Sequence, residues 1–232
     1  MKNILLIGGS YGIGLELAKE LQNDCKVYLA SRTNENLSGL NVIHITYDAT
    51  VDTLDTSMLP AVIDGLVYCP GSINLRPFRG LKLETFESDM QINFFSMIKV
   101  VQSLLPQLTA SEQSSIVLFS SVAVKMGMPF HTSVAAAKGA IEGFAKALAA
   151  EYAPKIRVNV IAPSLTDTPL AEKFLSTDEK REKSAQRHPL RRVGTTEDIA
   201  QMASFLLSEK SSWISGQIFP VDGGMSSLLV NG

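Results

Sequence analysis

A chain of 232 residues, 45% of them hydrophobic, can build one full α/β core, and no Gly/Ser-rich linker or shift in composition divides it. The 21 Lys and Arg stand against 23 Asp and Glu, a formal net charge of -2 with both signs scattered, which excludes the basic stripe of a nucleic-acid surface. Cys25 and Cys69 lie in apolar runs and read as free buried thiols of a cytosolic protein rather than a disulfide. No apolar leader follows Met1 and no apolar run reaches about 18 residues, so a cytoplasmic protein without a membrane partner is expected.

The run Ile4 to Ile7 is short and continuously apolar, as in a parallel strand covered on both faces. It feeds Gly8-Gly9-Ser10-Tyr11-Gly12-Ile13-Gly14, and Ile13, Leu17, Ala18 and Leu21 then recur at helical spacing. A strand that enters a glycine turn opening a helix is a dinucleotide-binding pattern. Gly8 permits the tight turn, Gly12 lets a pyrophosphate approach the backbone, and Gly14 lets the helix pack close to the strand. The helix N-terminus offers free N–H groups and a partial positive charge to the phosphates. Gly8, Ser10, Tyr11, Gly12, Ile13 and Gly14 are therefore the expected cofactor cradle.

The spacing Gly-x-x-x-Gly-x-Gly resembles that of the short-chain dehydrogenase/reductase family, and the resemblance continues along nearly the whole chain. It implies one doubly wound α/β domain over residues 1–232, with a parallel sheet of about seven strands. Val27 to Ala30 reads as strand two and ends in Ser31-Arg32. An acid at this strand end would accept hydrogen bonds from the ribose hydroxyls of NAD; Ser31 takes its place. A guanidinium beside the adenosine ribose favours a 2′-phosphate, so Arg32 points to NADP(H) over NAD(H). The segment from Thr33 to Asn41 hardly holds a crossover helix and is expected to be a turn before strand three, Val42 to Ile45. Asp48 resembles the family's adenine-contacting aspartate. Strand four ends in Tyr68-Cys69-Pro70-Gly71 where the family carries Asn-Asn-Ala-Gly. Gly71 keeps the close backbone approach to the cofactor; the two amides are missing.

Phe86, Met90, Met97, Val101 and Leu104 keep a helical period and predict one amphipathic helix from Thr85 to Leu105. By resemblance, Asn93 within it is the family's active-site asparagine, which helps hold a water in the proton relay. Ser115 to Phe119 is a fifth strand, and Ser121 just beyond it resembles the catalytic serine whose hydroxyl holds the substrate carbonyl. The family then places Tyr-x-x-x-Lys at the start of a helix, where residues four apart share a face. The lysine binds the nicotinamide ribose and lowers the pKa of the tyrosine, which passes the proton. The chain matches without a gap from Ser121 through Lys138 to Gly143, and Val134 stands at the tyrosine position. A valine donates no proton. His131, Ser133, Tyr68 and a water held by Asn93 and Lys138 are the substitutes left open.

The Ala- and Gly-rich stretch from Ala135 to Ala149 permits close helix–helix approach, and the family resemblance implies a homodimer or homotetramer through it. Strand six, Ile156 to Ile161, leads to Pro163, Thr166 and Thr168, which resemble the family's segment beside the nicotinamide; Ser164 replaces its glycine. Residues 166–192 resemble the substrate lid. Thr195 to Asp198 opens a helix with acids at its positive end. The last strand, Gln217 to Val221, precedes Asp222-Gly223-Gly224, which resembles the family's C-terminal signature. The resemblance implies an oxidoreductase interconverting a carbonyl and an alcohol on a small molecule. Ser121, Lys138, Asn93 and His131 are the catalytic candidates, and no metal is expected. The competing reading is a cofactor-binding protein without turnover, a redox sensor or structural partner subunit.

Overall fold

The computed structural model describes residues 1–229. Seven parallel strands form one sheet in the order β3-β2-β1-β4-β5-β6-β7. They are β1 (Lys2–Ile7), β2 (Cys25–Ser31), β3 (Val42–Thr46), β4 (Gly65–Tyr68), β5 (Ser114–Phe119), β6 (Ile156–Pro163) and β7 (Ile218–Val221). The strands read as unbroken apolar runs because helices cover both faces. Alternate residues of β1 divide between two cores. Leu5 and Ile7 pack toward α3 (Ser96–Thr109) and α5 (Thr132–Tyr152). Ile4 and Leu6 pack toward α1 (Gly12–Leu21) and α7 (Thr196–Leu207). The strand order reverses between β1 and β4, and such a switch point leaves a crevice at the carboxyl ends of the strands.

The crossover from β2 to β3 is a single 3-10 turn at Glu35–Leu37, as its composition requires. α7 begins as expected, with a capping box in which Thr195 and Asp198 each satisfy the other's backbone N–H. Among the described residues no helix is long and apolar enough to cross a membrane.

The helix expected from Thr85 to Leu105 differs in two respects. It is α2 (Leu83–Met90), one π turn at Gln91–Phe95, and then α3. Phe86 and Met90 are only half-buried, whereas Asp89 and Asn93 are fully buried. The inner face of α2 is polar because it closes onto a polar site, and apolar periodicity does not register such a face. The two cysteines are free and half-buried rather than fully enclosed.

Candidate active site

One cavity of about 710 Å³ lies at the carboxyl ends of β1, β4, β5 and β6. Its floor is the glycine turn. Gly8 and Gly12 have φ of +76° and +56°, a region that side chains disfavour. A Cβ on Gly14 would lie 2.8 Å from the carbonyl oxygen of Gly8, so the glycine is what lets α1 approach β1. The first turn of α1 carries no acid, its N-cap makes no side-chain bond, and the N–H groups of Gly12, Ile13 and Gly14 have no partner among the described residues. Donors of this kind, aimed from a helix N-terminus, fit a pyrophosphate. Ser10 is buried beneath the turn and accepts from Thr33, while Tyr11 is exposed at the N-cap.

The C-terminal end of β2 extends this floor. Ser31 is buried, donates to the carbonyl of Thr33 at 2.8 Å and sits 3.1 Å from a ring nitrogen of His44. Arg32 is exposed and makes no hydrogen bond or ion pair among the described residues. The Oδ1 of Asp48 accepts from the hydroxyl and the N–H of Thr50, which hold its carboxyl below the usual range, with a smaller contribution from Arg32. Neither Arg32 nor Asp48 lines the main cavity.

At the other end, Lys138 and Asn93 meet behind Gly71. A Cβ on Gly71 would lie 3.1 Å from Asn93 Oδ1 and 3.4 Å from Lys138 Nζ. Asn93 donates through Nδ2 to the Asp89 carbonyl at 2.8 Å and to Ser72 Oγ at 2.9 Å; its buried Oδ1 has no partner. Lys138 donates from Nζ to the Phe119 carbonyl at the end of β5, 2.9 Å away. Burial lowers its pKa to about 8, against the opposing pull of the nearby Asp89 carboxylate. Burial likewise pushes the Cys69 thiol up to about 12, so it stands neutral beside the lysine.

Ser121 caps α4 (Val122–Met126), accepting from the N–H of Ala123 at 3.2 Å. Its hydroxyl proton remains available toward the cavity that the residue lines. Val134 is buried in the cavity wall, one helical turn before Lys138. His131 is the N-cap of α5 and also lines the cavity. Its Nδ1 donates to the Pro129 carbonyl at 2.7 Å, leaving Nε2 as the uncommitted nitrogen. Phe130 before it has φ of +69°, a conformation rare for a bulky residue and a mark of functional sites.

The other two side chains considered as donors point elsewhere. Tyr68 donates to the Ile92 carbonyl at 2.8 Å, its hydroxyl is pushed up by burial, and it does not line the cavity. Ser133 donates to Asp89 Oδ2 at 2.6 Å and is likewise absent from the cavity wall.

Pro163, Thr166 and Thr168 also line the cavity, and Thr168 reaches the glycine turn beside Gly12. The hydroxyl of Thr166 is bonded to the Ser164 carbonyl at 3.0 Å. The segment that follows runs through a 3-10 turn at Pro169–Phe174 and α6 (Asp178–Gln186) over the cavity mouth.

Two features escaped the sequence reading. Asp89 is a fully buried carboxylate that accepts from Ser72 at 2.5 Å, from Asn74 at 2.7 Å and from Ser133. An acid in an amphipathic helix reads as a solvated position, and nothing local marks it otherwise. His188 is buried, donates from Nδ1 to the Ser184 carbonyl and has Nε2 in hydrogen-bond contact with the Ser164 hydroxyl at 2.8 Å. It thereby ties α6 to the segment after β6.

A family model described as enoyl-(acyl carrier protein) reductase matches residues 9–226. The chain belongs to the short-chain dehydrogenase/reductase family. A tropinone reductase homolog of Arabidopsis thaliana is 31% identical over 99% of this chain and 94% of its own length. The 3-oxoacyl-(acyl-carrier-protein) reductase of Chlamydia muridarum is 34% identical over 97% of each chain. Among solved structures, a putative 2-deoxy-D-gluconate 3-dehydrogenase of Agrobacterium tumefaciens with bound NADP superposes with a TM-score of 0.88. It is 27% identical and covers 97% of this chain and 96% of that one.

Proposed function

We propose that the chain is an NADP(H)-linked oxidoreductase that interconverts a carbonyl and an alcohol on a small molecule, with Val134 standing where the family carries its proton-donating tyrosine. The observation that carries this reading is the convergence of the buried Lys138 ammonium and the unpartnered Asn93 Oδ1 at Gly71. A buried acceptor without a partner is costly. A cofactor hydroxyl or a water between the two groups satisfies it. The free N–H groups of α1 would hold the pyrophosphate, Arg32 the 2′-phosphate, and Thr166 and Thr168 the carboxamide side. The Agrobacterium relative with bound NADP supports the cofactor class.

A bound nicotinamide supplies or removes the hydride. Ser121 donates its hydroxyl to the substrate oxygen and polarises the carbonyl. Lys138 would donate to the ribose hydroxyls and so orient the ring. The proton that the reduced oxygen needs comes from His131, or from a water held by Asn93 and Lys138. Tyr68 and Ser133 have their hydroxyls committed away from the cavity.

The aliphatic Val134 favours a second reading, a cofactor-binding member without turnover. NADPH consumption on a panel of ketones, quinones and alcohols, followed beside direct NADPH binding, separates the two. Turnover establishes the enzyme; tight binding with no turnover on any substrate overturns it. The exposed small residues of α5, Ala136, Gly143 and Ala147, support assembly with further copies of the chain.

A further inference from the structure

The geometry points to a substrate that carries an anionic group, a carboxylate, phosphate or sulfonate, held by the cavity-facing side of α6; this rests on the oxidoreductase reading above. The cavity wall contains five cations, Lys138, Lys173, Lys180, Lys183 and Arg187, and no Asp or Glu. Lys138 belongs to the cofactor end. Lys173 donates to the Ile73 carbonyl, and Lys180 to the Lys173 carbonyl and the Ser176 hydroxyl. The side chains of Lys183 and Arg187 make no hydrogen bond or ion pair among the described residues.

The arrangement is sorted by face. Lys180, Lys183 and Arg187 are three and four residues apart and line the cavity together with Ser184. The acids of the same helix, Asp178, Glu179 and Glu182, are absent from the wall, and Glu182 accepts from Gln186. Arg181, which is also absent from it, is neutralised by Asp167 at 2.6 Å. A solvated helix of this composition would mix its signs on both faces. The helix dipole favours cations in the last turn, which covers Lys183 and Arg187, but it disfavours Lys180 in the first turn. Like charges four residues apart also repel unless an anion lies between them. A cleft lined by one sign of charge concentrates ligands of the other.

The test uses matched pairs of oxo acids and their methyl esters, with the carboxylate two to four carbons from the ketone. Affinity is measured by calorimetry on the protein saturated with NADP+, where no reduction occurs, and turnover separately with NADPH. Each acid is expected to bind at least 10-fold more tightly than its ester. The Lys183→Ala/Arg187→Ala double variant, altered only at exposed positions, should lose that preference while keeping NADPH affinity and ester binding. Lys183→Arg should retain it. Equal affinity for acid and ester, or no binding of either, overturns the inference. So does a double variant that weakens NADPH itself, which would assign these cations to the cofactor. Acid-selective binding without turnover upholds the anion site while the oxidoreductase reading fails. Equal affinity for acid and ester with turnover of both does the reverse.

Discussion

The hydroxyl of Ser133 donates to Oδ2 of Asp89 across 2.6 Å, tying the first turn of α5 to α2. The same carboxylate accepts from Ser72 and Asn74 in the loop after β4. Three elements around Lys138 and Asn93 are thus fixed by one buried anion. Asp89→Ala strands three donors and should cost about 2–4 kcal/mol in urea unfolding, because each unsatisfied buried group costs about 1–3 kcal/mol. Asp89→Asn keeps an acceptor and should cost less. A loss below 0.5 kcal/mol, about the level of an ordinary surface change, for Asp89→Ala would refute the bracing role.

How much of this was readable beforehand follows from where each signal resides. The glycine turn, the strands and the helix start at Thr195 depend on local chemistry, so the sequence displays them directly. The seven-strand sheet followed from that local pattern together with the family resemblance. Asp89 and His188 depend on partners distant along the chain, such as Ser133 and Ser164, and no local pattern announces those. The π turn at Asn93 is invisible for a related reason: it adds a residue to one turn without changing composition. Conversely, Tyr68 has the chemistry of a proton donor in the sequence, and only the fold turns its hydroxyl to Ile92.

Lys138 predicts a pH dependence. Its folded pKa is about 8 against 10.5 when free, so the unfolded chain binds more protons between these values. Stability therefore rises with pH across that window, as the cost of a buried ammonium is relieved. Measured against Lys138→Met to cancel other groups, the gain from pH 8 to 10.5 should be about 2–3 kcal/mol. Affinity for NADPH should fall over the same range, since the neutral amine loses its charge. Parallel stability curves for the two proteins would refute this.

Arg32 is exposed and without a side-chain partner among the described residues, so it is available to a 2′-phosphate. NADP(H) should bind more tightly than NAD(H), and Arg32→Ala should lower NADPH affinity roughly 10- to 100-fold, the worth of a charged hydrogen bond, with NADH affinity unchanged. Fluorescence titration of both cofactors decides the matter; equal affinity in the unmutated protein counts against it.

Ala147 is exposed on α5, four residues after the exposed Gly143. In the proposed assembly, a glutamate there would place a charge between two small-residue faces. Ala147→Glu should convert an oligomer to monomers in sedimentation velocity at micromolar concentration, with circular dichroism unchanged. An unmutated protein that sediments as a monomer would sink the assembly.

In the proposed reading, Val134 stands at the position of the proton donor. A positioned general acid is worth roughly 10²–10⁴-fold in rate, about 3–5 kcal/mol of barrier. Val134→Tyr sets a phenol one helical turn from Lys138, whose depressed pKa leaves it largely charged at neutrality and able to lower the pKa of a neighbouring phenol. The side chain already borders the cavity, so the ring has space to enter, although overpacking of the wall could cost about 1–3 kcal/mol. The variant should keep NADPH binding and gain reduction of diketones or quinones by 10²-fold or more, consistent with the general-acid range. His131→Ala in the unmutated chain is the companion measurement. If it abolishes a real starting activity, His131 has taken over the proton, and the gain from Val134→Tyr should be smaller. If the unmutated chain binds NADPH without turnover and Val134→Tyr creates activity, the non-catalytic reading gains. A Val134→Tyr protein that binds NADPH and still reduces nothing would show that the missing phenol is not the site's main chemical deficit.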